Sequence, residues 1–143
     1  FEAATRIGAL LGGASVQTED AMARYGAHLG TAFQLIDDVL DYSGSAAEMG
    51  KNVGDDLAEG KPTLPLIYAL KNGNAQQSES VRRAIEHGNV ADLDPVLEAI
   101  RGTGALEYAR QLATVARKPC VERKRFRPAC RLTSGYCTTI VSV

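Results

Sequence analysis

The chain has 143 residues, 45% apolar and 23% charged, with no Trp and a formal charge of -1. That length suits one domain with a core of its own, and so even a balance singles out no partner, nucleic acid included. No apolar run approaches the ~20 residues that span a bilayer, and no basic segment leads into an apolar stretch at the N-terminus, so the sequence reads as soluble and cytoplasmic.

The average hides a split. Before Arg117 stand 9 of the 16 basic and 16 of the 17 acidic residues, a net charge of -7; from Arg117 onward there are 7 basic residues and one acid, a net charge of +6. All three cysteines, Cys120, Cys130 and Cys137, lie in the second part. Their spacing matches neither CxxC metal pairs nor a regular disulfide framework, so they read as reduced thiols. Two parts follow, a helical domain over 1–116 and an atypical basic tail over 117–143.

Helices alone are expected before the tail, since no stretch shows strand alternation. The first runs from Glu2 to Leu11 and stops at Gly12 and Gly13. A second starts at Thr18 as N-cap, with Glu19 and Asp20 in its first turn, and ends near Asp41 or Tyr42 in "SGS". A glycine-punctuated loop, "EMGKNVGDDLAEGKP", follows. Thr63 then caps "LPLIYAL", Ser78 caps "ESVRRAIEH" up to Gly88, Asp94 and Pro95 open "VLEAIR" up to Gly102, and Ala105 to Arg117 again has helical spacing. Beyond Arg117, prolines at 119 and 128 and a β-branched end leave no amphipathic period. Phe126 is the only aromatic residue among the arginines there, which is poor equipment for binding RNA; the tail reads as disordered or as translation in a shifted reading frame.

Within the second helix, "FQLIDDVLDY" places Asp37, Asp38 and Asp41 in five residues. At 100° per residue, Met22, Tyr25, Leu29, Phe33, Ile36 and Leu40 form a stripe expected to face the core. Asp37, Asp41, Gln34 and Asp38 lie on a strip beside it, spanning about 100°. Towards the N-terminus that strip holds Ala23, Gly26, Ala27 and Gly30, so small residues lead up to the carboxylates over about 27 Å of helix. Room beside them suits either close packing of another helix or a channel for an elongated apolar ligand.

The carboxylates repel one another at i,i+3 and i,i+4, have no Lys or Arg at those offsets, and crowd the negative end of the helix dipole. The cost is on the order of 1–2 kcal/mol, which a bound cation would reverse. A twelve-residue calcium loop from Asp38 would need Gly where Ser43 stands. Mg²⁺ fits better, because it keeps waters and takes its remaining oxygens from a substrate phosphate. The next loop, "GKNVGDDLAEGKPTLP", supplies Lys51 and Lys61 behind glycines, ammonium groups able to reach a diphosphate, and Asp55 and Asp56, which could hold those lysines or meet a metal through water.

With these motifs on the page, "FEAATRIGALLGG", "YGAHLGTAFQLIDDVLDY" and "GKNVGDDLAEGKPTLPLIYAL" resemble the C-terminal half of an all-trans polyprenyl diphosphate synthase, nearest its bacterial octaprenyl-forming members. The likeness runs from Phe1 to about Ala113. DDxxD alone is a weak signal; FQxxDDxxD followed by GKxxGxDxxxGKxTLP is highly specific. The resemblance implies an all-α fold, part of a helical bundle of the isoprenoid-synthase type around a deep cavity. It implies that Asp37, Asp38 and Asp41 are the second aspartate-rich motif, holding Mg²⁺ against the diphosphate of an allylic substrate. Gln34, Lys51, Lys61 and Asp56 fall at positions used around that substrate, with Asp37, Asp38, Lys51 and Lys61 in catalytic roles. Asp55 falls where the family varies.

The implied reaction is a 1'-4 condensation in which an allylic prenyl diphosphate ionises and its carbocation alkylates isopentenyl diphosphate, as part of a homodimer and plausibly for quinone side chains. The first aspartate-rich motif and a Lys-Thr pair expected before "FEAATR" are missing from the sequence, so these residues by themselves are expected not to turn over. In the family it resembles, product length is set largely near the first aspartate-rich motif. A non-catalytic subunit that modulates a partner synthase is the rival reading; the unneutralised carboxylates and paired Gly-Lys motifs argue against it. A terpene cyclase also uses DDxxD, but three Phe, five Tyr and no Trp leave little to cradle a carbocation.

Overall fold

A computed structural model describes residues 1–43, 53–88 and 93–121. Among them there is no strand, and seven helices follow in order: α1 (Glu2–Leu11), α2 (Val16–Asp41), α3 (Asp55–Ala58), α4 (Leu64–Asn72), α5 (Ala75–His87), α6 (Leu93–Thr103) and α7 (Ala105–Val121). The chain forms two compact units, one of Phe1–Thr31 with the residues from Val115 onward, the other of Ala32–Thr114.

In the first unit α1 ends in a Schellman arrangement, with Gly13 N–H donating to Leu10 O at 3.0 Å and Ala14 N–H to Ala9 O at 3.0 Å. The start of α2 differs from the sequence expectation. The helix begins at Val16, and Ser15 Oγ accepts from Thr18 N–H at 3.3 Å, so Ser15 is the cap and Thr18 lies in the first turn. Glu19 serves α1 as well as the helix dipole, because its carboxylate accepts from Arg6 Nε at 2.7 Å.

The small-residue strip of α2 is filled by α1. A Cβ at Gly26 would overlap Thr5 Oγ1 and come within 2.8 Å of Phe1 O, and one at Gly30 would lie 2.8 Å from Phe1 Cβ. Thr5 Oγ1 donates to Met22 O at 2.7 Å across this contact. Close helix packing, and not an open channel, therefore occupies Gly26 and Gly30. Gly26→Ala is expected to destabilise the fold by about 1–2 kcal/mol, since overpacking outweighs the gain in helix propensity. Gly8, in the middle of α1, has nothing within 4 Å of a Cβ, and Gly8→Ala should stabilise by about 0.5–1 kcal/mol. Opposite shifts in Tm for the two variants would check both.

The second unit is built on α4, α5 and α6, which pack against one another. Each turns one stripe inward: Leu66 and Ala69 from α4, Val81 and Ala84 from α5, Val96, Ala99 and Ile100 from α6. The 3–4 spacing of these residues is what buries them together. Tyr42, Leu57 of α3 and Ala105 of α7 complete the cluster. Outside it, Tyr68 of α4 stacks on Tyr108 of α7, with centroids 4.2 Å apart.

Three helix ends also depart from expectation. α5 starts at Ala75 under Asn74, whose side chain and that of Gln77 form a reciprocal capping box. Ser78 instead donates from Oγ to Leu70 O at 2.9 Å, tying α5 back to α4. α6 runs through Gly102 to Thr103 and gives way to α7 at Gly104, whose φ is +72°. α7 continues past Arg117 through Pro119 to Val121, and Cys120 Sγ donates to Tyr25 O at 3.7 Å. The rest of the proposed tail, with Cys130 and Cys137, lies outside the described residues.

On α2 the burial is opposite to the hydrophobic stripe. Ala23, Asp38, Val39, Asp41 and Tyr42 are buried, whereas Phe33 is 47% exposed and Met22, Tyr25, Leu29, Ile36 and Leu40 are only half-buried. The strip of small residues and carboxylates, not the apolar one, faces the packed side. No helix among the described residues is long and apolar enough to cross a membrane.

Candidate active site

The carboxylate end of α2 meets the starts of two later helices. Asp38 is buried and both of its oxygens accept: Oδ1 from Gln34 Nε2 at 2.8 Å, and Oδ2 from Leu64 N–H, the first residue of α4, at 3.4 Å. Asp41 Oδ2 accepts from Asp56 N–H at 3.3 Å, in the first turn of α3. Each carboxylate thus takes up amide donors that a helix start leaves without an intrahelical acceptor. Asp37, just ahead of Asp38 in sequence, is half-buried.

The loop is brought back onto α2 by its backbone. Gly54 N–H donates to Asp41 O at 3.1 Å. Gly54 has φ +85°, a left-handed conformation suited to glycine, and a Cβ there would lie 2.7 Å from Leu93 Cδ1. Asp55 and Asp56 then open α3 directly beside Asp41.

This crowding has an electrostatic cost. Burial first, then the charge of Asp56 and that of Asp55, push the Asp41 carboxyl up from 3.8 to about 6, against the opposing pull of the Asp56 and Asp55 amides. Tyr42, next in sequence and 2% exposed, is raised well above the ordinary phenol range, mainly by burial and further by Asp41, Asp56 and Asp38. A cation at this place would be favoured by every one of these carboxylates.

Lys61 is the described cation of the loop. Its ammonium donates to Glu59 Oε2 at 2.6 Å and to Asp56 Oδ1 at 3.1 Å, and these bonds, Glu59 first, hold its proton more tightly than usual. The side chain remains 55% exposed. Ion pairs so exposed are screened by water and contribute little, so Lys61 can exchange them for a diphosphate. Asp56 therefore joins the two halves of the site, its amide on Asp41 and its carboxylate on Lys61. Asp55 is exposed, and Lys51 lies outside the described residues.

Among the described residues no three His, Cys, Asp or Glu side chains gather tightly enough to cage an ion. Mg²⁺ asks for less than a cage, since it binds through one or two carboxylates and keeps its other positions for water and phosphate.

Sequence reasoning missed one feature here. Thr63 was expected to cap α4, but its hydroxyl makes no cap bond; Thr63 Oγ1 donates to Tyr42 OH at 3.5 Å. Tyr42 falls about 40° from Asp38 on the helical wheel, which was the available signal.

Residues 1–100 match the family model described as polyprenyl synthetase. The chain belongs to the polyprenyl synthetase family. Among curated polyprenyl synthetases it is 52% identical over 114 residues to octaprenyl diphosphate synthase of Escherichia coli, covering 79% of this chain and 35% of that protein. It is 45% identical over 114 residues to the all-trans-nonaprenyl-diphosphate synthase of Rhodobacter capsulatus, covering 80% and 35%. The polyprenyl synthase of Caulobacter crescentus, solved in complex with calcium and isoprenyl diphosphate, superposes with a TM-score of 0.74 at 41% identity, covering 84% of this chain and 37% of that one. The chain thus spans about a third of the length of the polyprenyl synthetases it matches, and it shares their all-α fold.

Proposed function

We propose that the chain carries the allylic-diphosphate side of a Mg²⁺-dependent trans-prenyltransferase, which condenses an allylic prenyl diphosphate with isopentenyl diphosphate into a long polyprenyl diphosphate. The observation that supports this most strongly is Asp41, a carboxylate pushed up to about 6 by burial and then by the charges of Asp56 and Asp55, with Asp56 in turn accepting from the exposed ammonium of Lys61. Mg²⁺, when bound, would neutralise charge on the diphosphate as it leaves the allylic carbon. Asp37, Asp38 and Asp41 would hold the ion, with Asp38 and Asp41 oriented by the helix-start amides of Leu64 and Asp56.

Lys61 and Lys51 would add positive charge on the loop side, and Gln34, already bonded to Asp38, would offer its amide near the same end of α2. Donors fixed before reaction stabilise developing charge without reorganising. A homodimer is the assembly the resemblance implies. The 143 residues hold one aspartate-rich motif, and by themselves are expected to bind the diphosphate without condensing it.

Calorimetry with a farnesyl thiodiphosphate analogue tests this reading. Uptake in Mg²⁺ that disappears in EDTA, and that Lys61→Ala weakens about tenfold or more, is expected. Uptake indifferent to Mg²⁺, or none at all, would refute it.

A further inference from the structure

The first turn of α4 is capped from outside its own strand of sequence. Leu64 N–H is accepted by Asp38, Pro65 has no N–H to offer, and Ile67 N–H reaches Thr63 O at 3.0 Å. Asp38 therefore serves the N1 amide of α4 from another helix, whereas a capping hydroxyl at Thr63 would ordinarily serve N2 or N3. Thr63, only 7% exposed, is left to turn its hydroxyl to Tyr42 OH, itself 2% exposed. Two residues back, the segment leads to Lys61, whose O accepts from Thr63 N–H at 2.9 Å. The same short segment thus fixes the buried hydroxyl pair, the donor to Asp38 and the root of the lysine.

We propose that Tyr42 and Thr63 are positioning residues, a buried latch between the end of α2 and the start of α4 that keeps Asp38 and Lys61 in register for a diphosphate. Neither touches the substrate. The proposal rests on the functional reading above. Geometry supplies its content: Tyr42 and Thr63 are 21 residues apart at this contact, and beside it Leu64 N–H reaches Asp38 at 3.4 Å.

Thr63→Val keeps the side-chain shape and removes the hydroxyl, Tyr42→Phe removes the other half, and Thr63→Ser restores the donor. Amide hydrogen exchange on the ligand-free chain is the direct readout. Exchange at Leu64 should quicken about tenfold in Thr63→Val and in Tyr42→Phe, no further in the double variant, and return in Thr63→Ser, while Ala84 and Ala99 in the core stay as they were. The Kd for the thiodiphosphate analogue in Mg²⁺ should weaken about tenfold in step. Unchanged exchange at Leu64, or equal acceleration of the core amides, would overturn the latch. A normal analogue Kd in variants whose Leu64 amide has quickened would overturn the positioning role. Wild-type chain that takes up no analogue would overturn the functional reading and the positioning role together, and leave the exchange result to decide the latch alone.

Discussion

Asp41→Asn is expected to make the protein more stable and its site poorer. The folded carboxyl titrates near 6 against 3.8 ordinarily, so between those values the folded state keeps a proton that the unfolded state has lost. Stability from this group is therefore highest below pH 4, falls as pH rises, and reaches its full deficit above pH 6. Asparagine removes the charge while its amide oxygen can still accept from Asp56 N–H. The gain in Mg²⁺-free buffer at pH 7 has a ceiling of about 3 kcal/mol, set by the rise of this carboxyl, and should vanish near pH 3.5. The charges of Asp56 and Asp55 face the same carboxyl and oppose its ionisation. Placed in a chimera in which residues 1–113 replace the matching part of the Escherichia coli enzyme, the same substitution should lower kcat/KM by about a hundredfold or more. Thermal melts across pH and steady-state kinetics measure the two effects; a variant no more stable at pH 7, or fully active, would contradict the assignment.

Leu66→Ala should cost about 3 kcal/mol, within the range for emptying a leucine site in a packed core. Leu66 is fully buried on the inner face of α4, where Val81, Ala84 and Ile100 leave it no solvent. Ile67, the next residue, is 36% exposed, and Ile67→Ala should cost about 1 kcal/mol or less. Urea denaturation of the pair checks which face of α4 is inside. Because Leu64 and Thr63 lie one turn or less from Leu66, the alanine variant should also loosen the α2–α4 joint, seen as faster exchange at the Leu64 amide.

Helix content and most helix ends were legible because they depend on neighbours in sequence. Gly13 and Gly88 mark their helix ends as glycine signals predict, and α2 stops at Asp41, where its end was expected. Two caps were misplaced for a local reason: Ser15 and Thr18, and Asn74 and Ser78, are rival caps three or four residues apart, and the Asn74–Gln77 pairing was the decisive signal in the second case. The buried side of α2 was misjudged because hydrophobicity marks a stripe that wants cover, whereas glycine at 26 and 30 marks a stripe that another helix can approach. DDxxD and the Gly-Lys loop were visible as composition. Their meeting was not, since the bonds from Asp56 to Asp41 and from Leu64 to Asp38 cross 15 and 26 residues, beyond the reach of any helical period.

The seat of Leu93 against Gly54 has a wider consequence. A branched methyl group at the first residue of α6 takes the space that a side chain at Gly54 would need, beside the bend whose amide donates to the last carbonyl of α2. Mechanical disturbance anywhere along α6 can thus reach the acidic tip by a strut one side chain thick. A saturation screen scored on catalysis alone should flag position 93, a leucine without chemistry, alongside the aspartates it never meets.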